Sequence, residues 1–139
     1  MGNYYQYSKG VGNVGSYQIS GIPYATASFT VAAAGSTPTR VDFPFVTKFV
    51  TIANTNTGTN VPLRFGFSSF GVTGSAVGSG NYYFTLDNGD SYTGEFRVAS
   101  LYLLSDTALT QTSASIVAGL TGIQTRELPA NWSGSVGVG

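Results

Sequence analysis

The 139-residue chain has no histidine and no cysteine. Without histidine it lacks Ser-His-Asp and Cys-His catalytic machinery, imidazole metal ligands and the usual general base near neutral pH. Without cysteine, disulfides and thiolate metal sites are excluded. These absences favour a protein that is not an enzyme and that holds neither a metal ion nor a cofactor.

Charge is also scarce. Six basic and six acidic residues cancel, and charged residues make up 9% of the chain, whereas ordinary soluble domains carry about 25%. The absence of a basic run predicts no direct contact with nucleic acid. A surface of Ser, Thr, Asn, Gly and Tyr suits close contact with neighbouring molecules, because burying these groups costs less than burying ions. A stable extracellular β domain with a neutral polar surface fits the composition equally well.

Long apolar runs are missing. None approaches the ~20 residues that a membrane-spanning helix needs, so we expect no insertion into a membrane. The first residues lack the basic-then-apolar pattern of a signal peptide, and we expect none. Gln6 stands where a myristoylation signal needs Ser or Thr.

What the chain does have is an alternation of apolar and polar residues with a period of two. Little of it has helical periodicity, and the pattern predicts an all-β fold of two antiparallel sheets. A switch of parity near Pro44 predicts a bend or bulge there, since proline cannot donate to a ladder. The predicted strands are residues 22–34, 40–53, 61–70, 82–86, 92–104 and 113–120.

The dipeptide Asn88-Gly89 predicts a type I′ turn, in which both central residues have positive φ. It would join residues 82–86 to residues 92–104 as a hairpin. Asp87 and Asp90 flank this turn, and capping of the turn is favoured over a weak calcium loop because the EF-hand spacing is not matched.

The chain divides into three predicted parts. Residues 1–21, rich in Gly, Tyr and Ser, are predicted to be an extended N-terminal arm. Residues 124–139, which contain the only Trp and end in Gly and Val, are predicted to be an extended C-terminal arm, and residues 22–123 the β domain. A solvated N-terminal tail and a Trp stacked on a sugar are the alternatives that remain open. The predicted interface residues are Tyr4, Tyr5, Tyr7, Tyr17 and Trp132.

Two short motifs carry little weight. Residues 10–15 match GxGxxG, but no predicted strand precedes them and no helix follows, so nucleotide binding is not expected. Asn131-Trp132-Ser133 is a glycosylation sequon that matters only in a secreted chain.

The order of predicted strands and loops suits a single jelly roll of two packed sheets. Four segments carry a further resemblance: residues 45–54 (FVTKFVTIAN), 63–72 (LRFGFSSFGV), 83–91 (YFTLDNGDS) and 113–123 (SASIVAGLTGI). They resemble small single-jelly-roll capsid proteins of large icosahedral DNA viruses, the penton type of phycodnaviruses and their relatives. The resemblance implies a structural subunit in the virion capsid, a homopentamer at the fivefold vertices that contacts neighbouring capsid proteins and has no catalytic residues.

Other functions stay open on the sequence. Phage head-decoration and tail-associated β proteins have a similar style of sequence. A carbohydrate-binding jelly-roll module would have a groove lined by Tyr or Trp132 with a few polar groups. An enzyme would need two carboxylates roughly 5–10 Å apart in a cleft, as in glycoside hydrolases.

Overall fold

The computed structural model describes residues 21–74, 81–128, 131, 132, 134 and 136–138. Their strands form two four-stranded antiparallel sheets, which confirms the predicted all-β class and the sandwich of two sheets. The strands are β1 (Ile22–Val31), β2 (Thr39–Asp42), β3 (Phe45–Asn54), β4 (Leu63–Gly66), β5 (Tyr83–Leu86), β6 (Ser91–Gly94), β7 (Ser100–Ser105) and β8 (Thr112–Gln124).

Sheet 1 has the order β1-β8-β3-β6, and sheet 2 has the order β2-β7-β4-β5. The chain therefore changes sheet at every connection except the one between β4 and β5. The second of these crossings falls at Phe43 and Pro44, between β2 and β3, which confirms the predicted bend. The strands β5 and β6 are edge strands, as are β1 and β2.

The core lies between the two sheets. In β8, Ala114, Ile116, Ala118 and Leu120 alternate with outward residues and are at most 1% exposed. They face buried side chains of sheet 2, among them Leu101. Burying a side chain such as Ile116 or Leu120 stabilises the fold by about 1.5–3 kcal/mol.

A short helix, α1 (Ser69–Thr73), packs on the outer side of sheet 2 against β4 and β7. The predicted strand over residues 61–70 is wrong beyond Gly66, because the Ser68 hydroxyl accepts a hydrogen bond from Gly71 N and starts the helix. Val72 of the helix and Leu104 of β7 are both buried. No helix in the described part of the chain is long and apolar enough to cross a membrane.

The predicted strand over residues 92–104 is wrong as one element. It divides into β6 in sheet 1 and β7 in sheet 2. Side chains from other strands hold the connection: the Thr47 hydroxyl donates to Phe96 O at 2.5 Å and accepts from Val98 N at 3.1 Å. These tertiary bonds replace the ladder that a continuous strand would need.

The predicted hairpin at Asn88-Gly89 is also wrong. A turn is present, with Asp90 N donating to Asp87 O at 2.9 Å, but β5 pairs with β4 and β6 pairs with β3. Of the two central residues only Gly89 has positive φ (81°), as in a type II turn rather than type I′. The turn thus carries the chain from one sheet to the other.

At the C-terminal end, β8 continues to Gln124, and a 3-10 turn follows at Thr125–Glu127. Leu128 and Asn131, from the predicted C-terminal arm, are buried against the sandwich. Residues 1–20 of the predicted N-terminal arm lie outside the described residues, and the division into arms and domain stays a prediction.

Candidate functional site

Five aromatic rings form a connected group on the side of the sandwich where the edge strands β5 and β6 lie. We call this group the aromatic flank. Because β5 belongs to sheet 2 and β6 to sheet 1, the rings close the gap between the sheets on this side. The members are Phe65, Phe67, Phe84, Tyr92 and Phe96.

Three of these rings form a triangle. Phe65 and Phe84 have ring centroids 5.8 Å apart, and Tyr92 lies 5.7 Å from each of them. Tilted aromatic pairs at such distances contribute about 0.5–1.5 kcal/mol each beyond the area that they bury. The triangle therefore fixes the two edge strands relative to each other.

The group continues along the flank. Tyr92 stacks on Phe96 at 6.2 Å, with ring planes 21° apart, and Phe96 contacts Phe67 at 5.0 Å. The flank thus runs from the edge strands to the connection between β6 and β7.

Part of the flank faces solvent. Phe65 is 4% exposed, whereas Phe84 is 55% and Tyr92 is 39% exposed. Large apolar side chains that share an exposed patch mark contact surfaces more often than single exposed ones. The two edge strands are only four residues long, so few backbone groups accompany the exposed rings.

A groove of about 360 Å³ lies beyond Phe96. Trp132 forms one wall, and its indole N–H donates to Arg97 O at 2.5 Å. The Arg97 guanidinium lies 5.7 Å from the centre of the indole ring, within reach of a cation–π contact. The residues that line the groove are Phe67, Glu95, Phe96, Arg97, Val98, Trp132 and Val138.

Trp132 has a strained backbone. Its φ is +65°, in the left-handed region that costs a residue with a side chain about 1–2 kcal/mol. The preceding Asn131 has φ +47° and is anchored by four hydrogen bonds to backbone groups. This anchor holds Trp132 over the groove, where it remains 37% exposed.

A second groove, of about 450 Å³, lies beside β2, at the opposite end of sheet 2 from the aromatic flank. Arg40 Nε and Asp42 Oδ1 are 2.5 Å apart on its wall, and this hydrogen bond raises the pKa of Arg40 above its ordinary value. Arg126, from the 3-10 turn, lines the groove as well. The two sides of the sandwich therefore differ: one is aromatic and the other is polar and charged.

Of the predicted interface residues, only Trp132 lies among the described residues, and it contacts its own chain. The four tyrosines lie outside them: Tyr4, Tyr5, Tyr7 and Tyr17. The sequon residue Asn131 is 6% exposed, and its amide nitrogen donates to Phe67 O and Ser100 O, so the folded chain does not present the atom that would carry a glycan.

The acidic residues form no metal site in the described part of the chain, where no three of them are grouped to hold an ion. Asp87 and Asp90 lie at the inter-sheet turn, and Asp87 accepts a hydrogen bond from Asn60 Nδ2 at 3.2 Å.

Sequence reasoning missed Phe84 and Tyr92. They are eight residues apart and on different sheets, and their contact exists only because the chain crosses between sheets at the Asn88-Gly89 turn. The available signal was an aromatic residue on either side of that turn.

The fold and the two grooves define an all-β sandwich protein with an aromatic edge. No protein-family model matches the chain, and a search of curated proteins found no match for it either.

Proposed function

We propose that the sandwich is a single jelly roll. The pairs β1·β8, β2·β7, β3·β6 and β4·β5 are all antiparallel, as in one long hairpin with β4 and β5 at its closed end. Rolling such a hairpin brings β8 beside β3 and β7 beside β4, which are the two remaining pairs. This pairing order is the observation that carries the proposal.

The chain serves, in this proposal, as a structural subunit of a viral capsid, the penton at the fivefold vertices, located in the virion. Jelly rolls serve as capsid and lectin domains. A ring of five copies needs a heterologous contact, in which two different surfaces of one subunit meet. The aromatic flank and the charged groove beside β2 supply two such different surfaces on opposite sides.

The exposed aromatic side chains are suited to the contact between copies in the proposed pentamer. Phe84 and Tyr92 are large, have few rotamers and need no desolvation of a charge when a neighbour covers them. Neighbouring capsid proteins would contact the remaining surface of the shell subunit. A head-decoration protein would carry similar surfaces but would bind only to a preformed lattice.

Introducing a charge into the aromatic flank tests this proposal. We expect the wild-type protein to form a symmetric pentamer in native mass spectrometry, and Phe84→Asp to form no pentamer, because its carboxylate would be buried unpaired in the contact. Leu109→Asp is the matched control, since Leu109 is 96% exposed in a loop away from the flank and its φ of +62° suits Asp.

Circular dichroism establishes that each variant is folded, and Phe84→Lys repeats the test with the opposite charge. A wild-type protein that remains monomeric at high concentration would contradict the proposal. So would a pentamer that tolerates both substitutions. A protein that joins only assembled shells would instead indicate decoration.

A carbohydrate-binding module is the second candidate, and the groove with Trp132 favours it. Sugar sites combine an aromatic platform with a few polar groups, and here Glu95 and Arg97 lie beside the indole. If this function is right, a glycan array shows specific binding that Trp132→Ala abolishes, while the oligomeric state is unchanged. A flat array together with a solution pentamer rejects the candidate.

A further inference from the structure

Charge is distributed unevenly between the two sheets. The four strands of sheet 1 contain a single charged residue, Lys48, whereas the shorter strands of sheet 2 contain Arg40, Asp42 and Arg64. Lys48 lies at a register shift near the start of β3, between Thr47 and Phe49. Beyond that shift, the described outward residues of sheet 1 are uncharged.

The centre of this outer face is a row of four residues in register. Ala25 of β1 is opposite Val117 of β8, which is opposite Thr51 of β3, which is opposite Thr93 of β6. The hydroxyl oxygens of Thr51 and Thr93 are 2.8 Å apart. All four side chains are short, so the row forms a flat surface across the sheet without protruding side chains.

The neighbouring rows are equally level. Phe49 would protrude, but its ring lies over Gly119, where a Cβ atom would be only 2.2 Å from Phe49 Cε1. On the other side of the central row, Ser115 of β8 is opposite Ala53 of β3. Small residues therefore surround Val117 on the described part of the face.

The face is open among the described residues. The helix α1 covers sheet 2, and the described contacts of sheet 1 with other elements are within the sheet or across the core. Val117 is 48% exposed, although it lies near the middle of the longest strand. From strand lengths and spacing the face has a flat area of about 600 Å², comparable to the roughly 800 Å² per partner of a standard interface.

We propose that this outer face of sheet 1 is a self-association surface, on which a second copy of the chain packs sheet against sheet about a twofold axis. Such a contact places a patch against itself. Any charged residue near the axis would then lie close to the same residue of the second copy, and the two like charges would repel. A patch without charge avoids this repulsion. Ser, Thr, Ala and Val also lose little side-chain entropy when they are buried.

A second copy is favoured over other occupants because the face offers no charge for a charged partner to recognise. This contact is separate from the proposed pentamer contact, because it uses the outer face of sheet 1, whereas the pentamer contact uses the aromatic flank at the sheet edges. It would join a subunit of one ring to a subunit of another, or two single chains where no ring forms.

The experiment uses Val117, at the centre of the row, and measures sedimentation over a range of concentrations. Val117→Lys and Val117→Glu are each expected to weaken the face contact by about 10-fold or more, because like charges would meet across the axis. An equimolar mixture of the two variants is expected to restore association. Leu109→Lys, in the exposed loop, is the control and leaves association unchanged.

Combining Val117→Lys with Phe84→Asp distinguishes the face contact from the pentamer contact of the aromatic flank. If both proposals hold, the Phe84→Asp protein forms face dimers at high concentration, and adding Val117→Lys makes it monomeric. If Phe84→Asp leaves assembly intact but Val117→Lys still weakens one contact, the ring proposal fails and the face proposal survives.

Two results would overturn the face proposal. One is a Phe84→Asp protein that stays monomeric at high concentration. The other is a Val117→Lys protein that associates as the wild type does. If that variant also unfolds at lower denaturant than the wild type, the occupant of the face would instead be the chain's own residues 1–20.

Discussion

Replacing Asn131 with leucine is expected to lower the free energy of unfolding by about 3–5 kcal/mol, because leucine leaves several buried backbone groups without partners. The Asn131 oxygen accepts from Ala99 N at 2.7 Å and from Ser100 N at 3.4 Å. Its amide nitrogen donates to Phe67 O at 2.7 Å and to Ser100 O at 3.0 Å. Urea unfolding followed by circular dichroism measures the loss.

The same side chain also holds the candidate site together. Asn131 lines the groove beside β2, and the next residue, Trp132, lines the other groove. Because Trp132 is the only tryptophan, its fluorescence reports on this segment alone. We expect red-shifted emission in Asn131→Leu under native conditions, as the indole moves into water.

Asn81→Leu is the control, because Asn81 is exposed and surface substitutions usually change stability by less than about 0.5 kcal/mol. A variant Asn131→Leu that unfolds at the wild-type urea midpoint with unshifted emission would show that the four hydrogen bonds are dispensable.

Asn131→Asp adds a pH dependence with a defined sign. A carboxylate at this position would face Phe67 O and Ser100 O, so its pKa in the folded variant is expected to be raised above the unfolded value of about 3.9. The folded state then binds the proton more tightly than the unfolded state does. Relative to wild type, the variant is most stable below pH ~4 and loses stability as the pH rises through the folded pKa.

The strands that could be predicted from the sequence are those whose alternation reflects one buried face. In β3 and β8, outward and inward residues alternate over long runs, and the two strands lie in the middle of sheet 1. The bend at Pro44 was predictable as well, since a missing backbone N–H ends a ladder whatever the fold.

What could not be predicted depends on partners distant in sequence. Residues 95–99 keep the alternation of a strand, yet their backbone bonds go to Phe43, Thr47, Asn131 and Trp132. Nothing within the segment itself indicates those partners. The hairpin prediction failed for the same reason, because the local preference of Asn88-Gly89 for a turn says nothing about which strands the turn connects.

The candidate site shows this limit most clearly. Trp132 was identifiable as a single large side chain in a Gly-rich segment, but the groove that it lines is built from the connection after β6. Phe84 and Tyr92 become one patch only through the pairing of β5 with β4 and of β6 with β3. A contact surface made at the edges of two sheets is therefore a product of topology.

Asn54 is the residue on which that topology depends at the other end of the sandwich. It is 1% exposed, at the end of β3, and its amide nitrogen donates at 3.0 Å both to Val61 O and to Leu86 O. Its oxygen accepts from Asn56 N at 3.0 Å. One side chain thus connects the last residue of a strand in sheet 1 to the segment that precedes β4 and to β5 of sheet 2.

Asn54→Leu is accordingly expected to cost about 2–4 kcal/mol of unfolding free energy, since Leu86 O and Asn56 N lose their partners and the apolar side chain replaces none of them. The loss is measured by urea unfolding. Asn60→Ala is the matched control: Asn60 is exposed and bonds to the same turn, through Asn88 N and Asp87, where water can replace it. We expect that control to cost less than about 1 kcal/mol.

The comparison between these two variants distinguishes a buried connection from a surface one. If Asn54→Leu costs no more than Asn60→Ala, the inter-sheet turn is held by its backbone bonds, Asn54 N to Asp90 O and Gly89 N to Asn54 O, and the side chain is incidental. If it costs several times more, the exposed pair Phe84 and Tyr92 is held in place partly from this end. In that case Asn54→Leu is also expected to weaken the proposed pentamer contact through the aromatic flank, although Asn54 is itself buried.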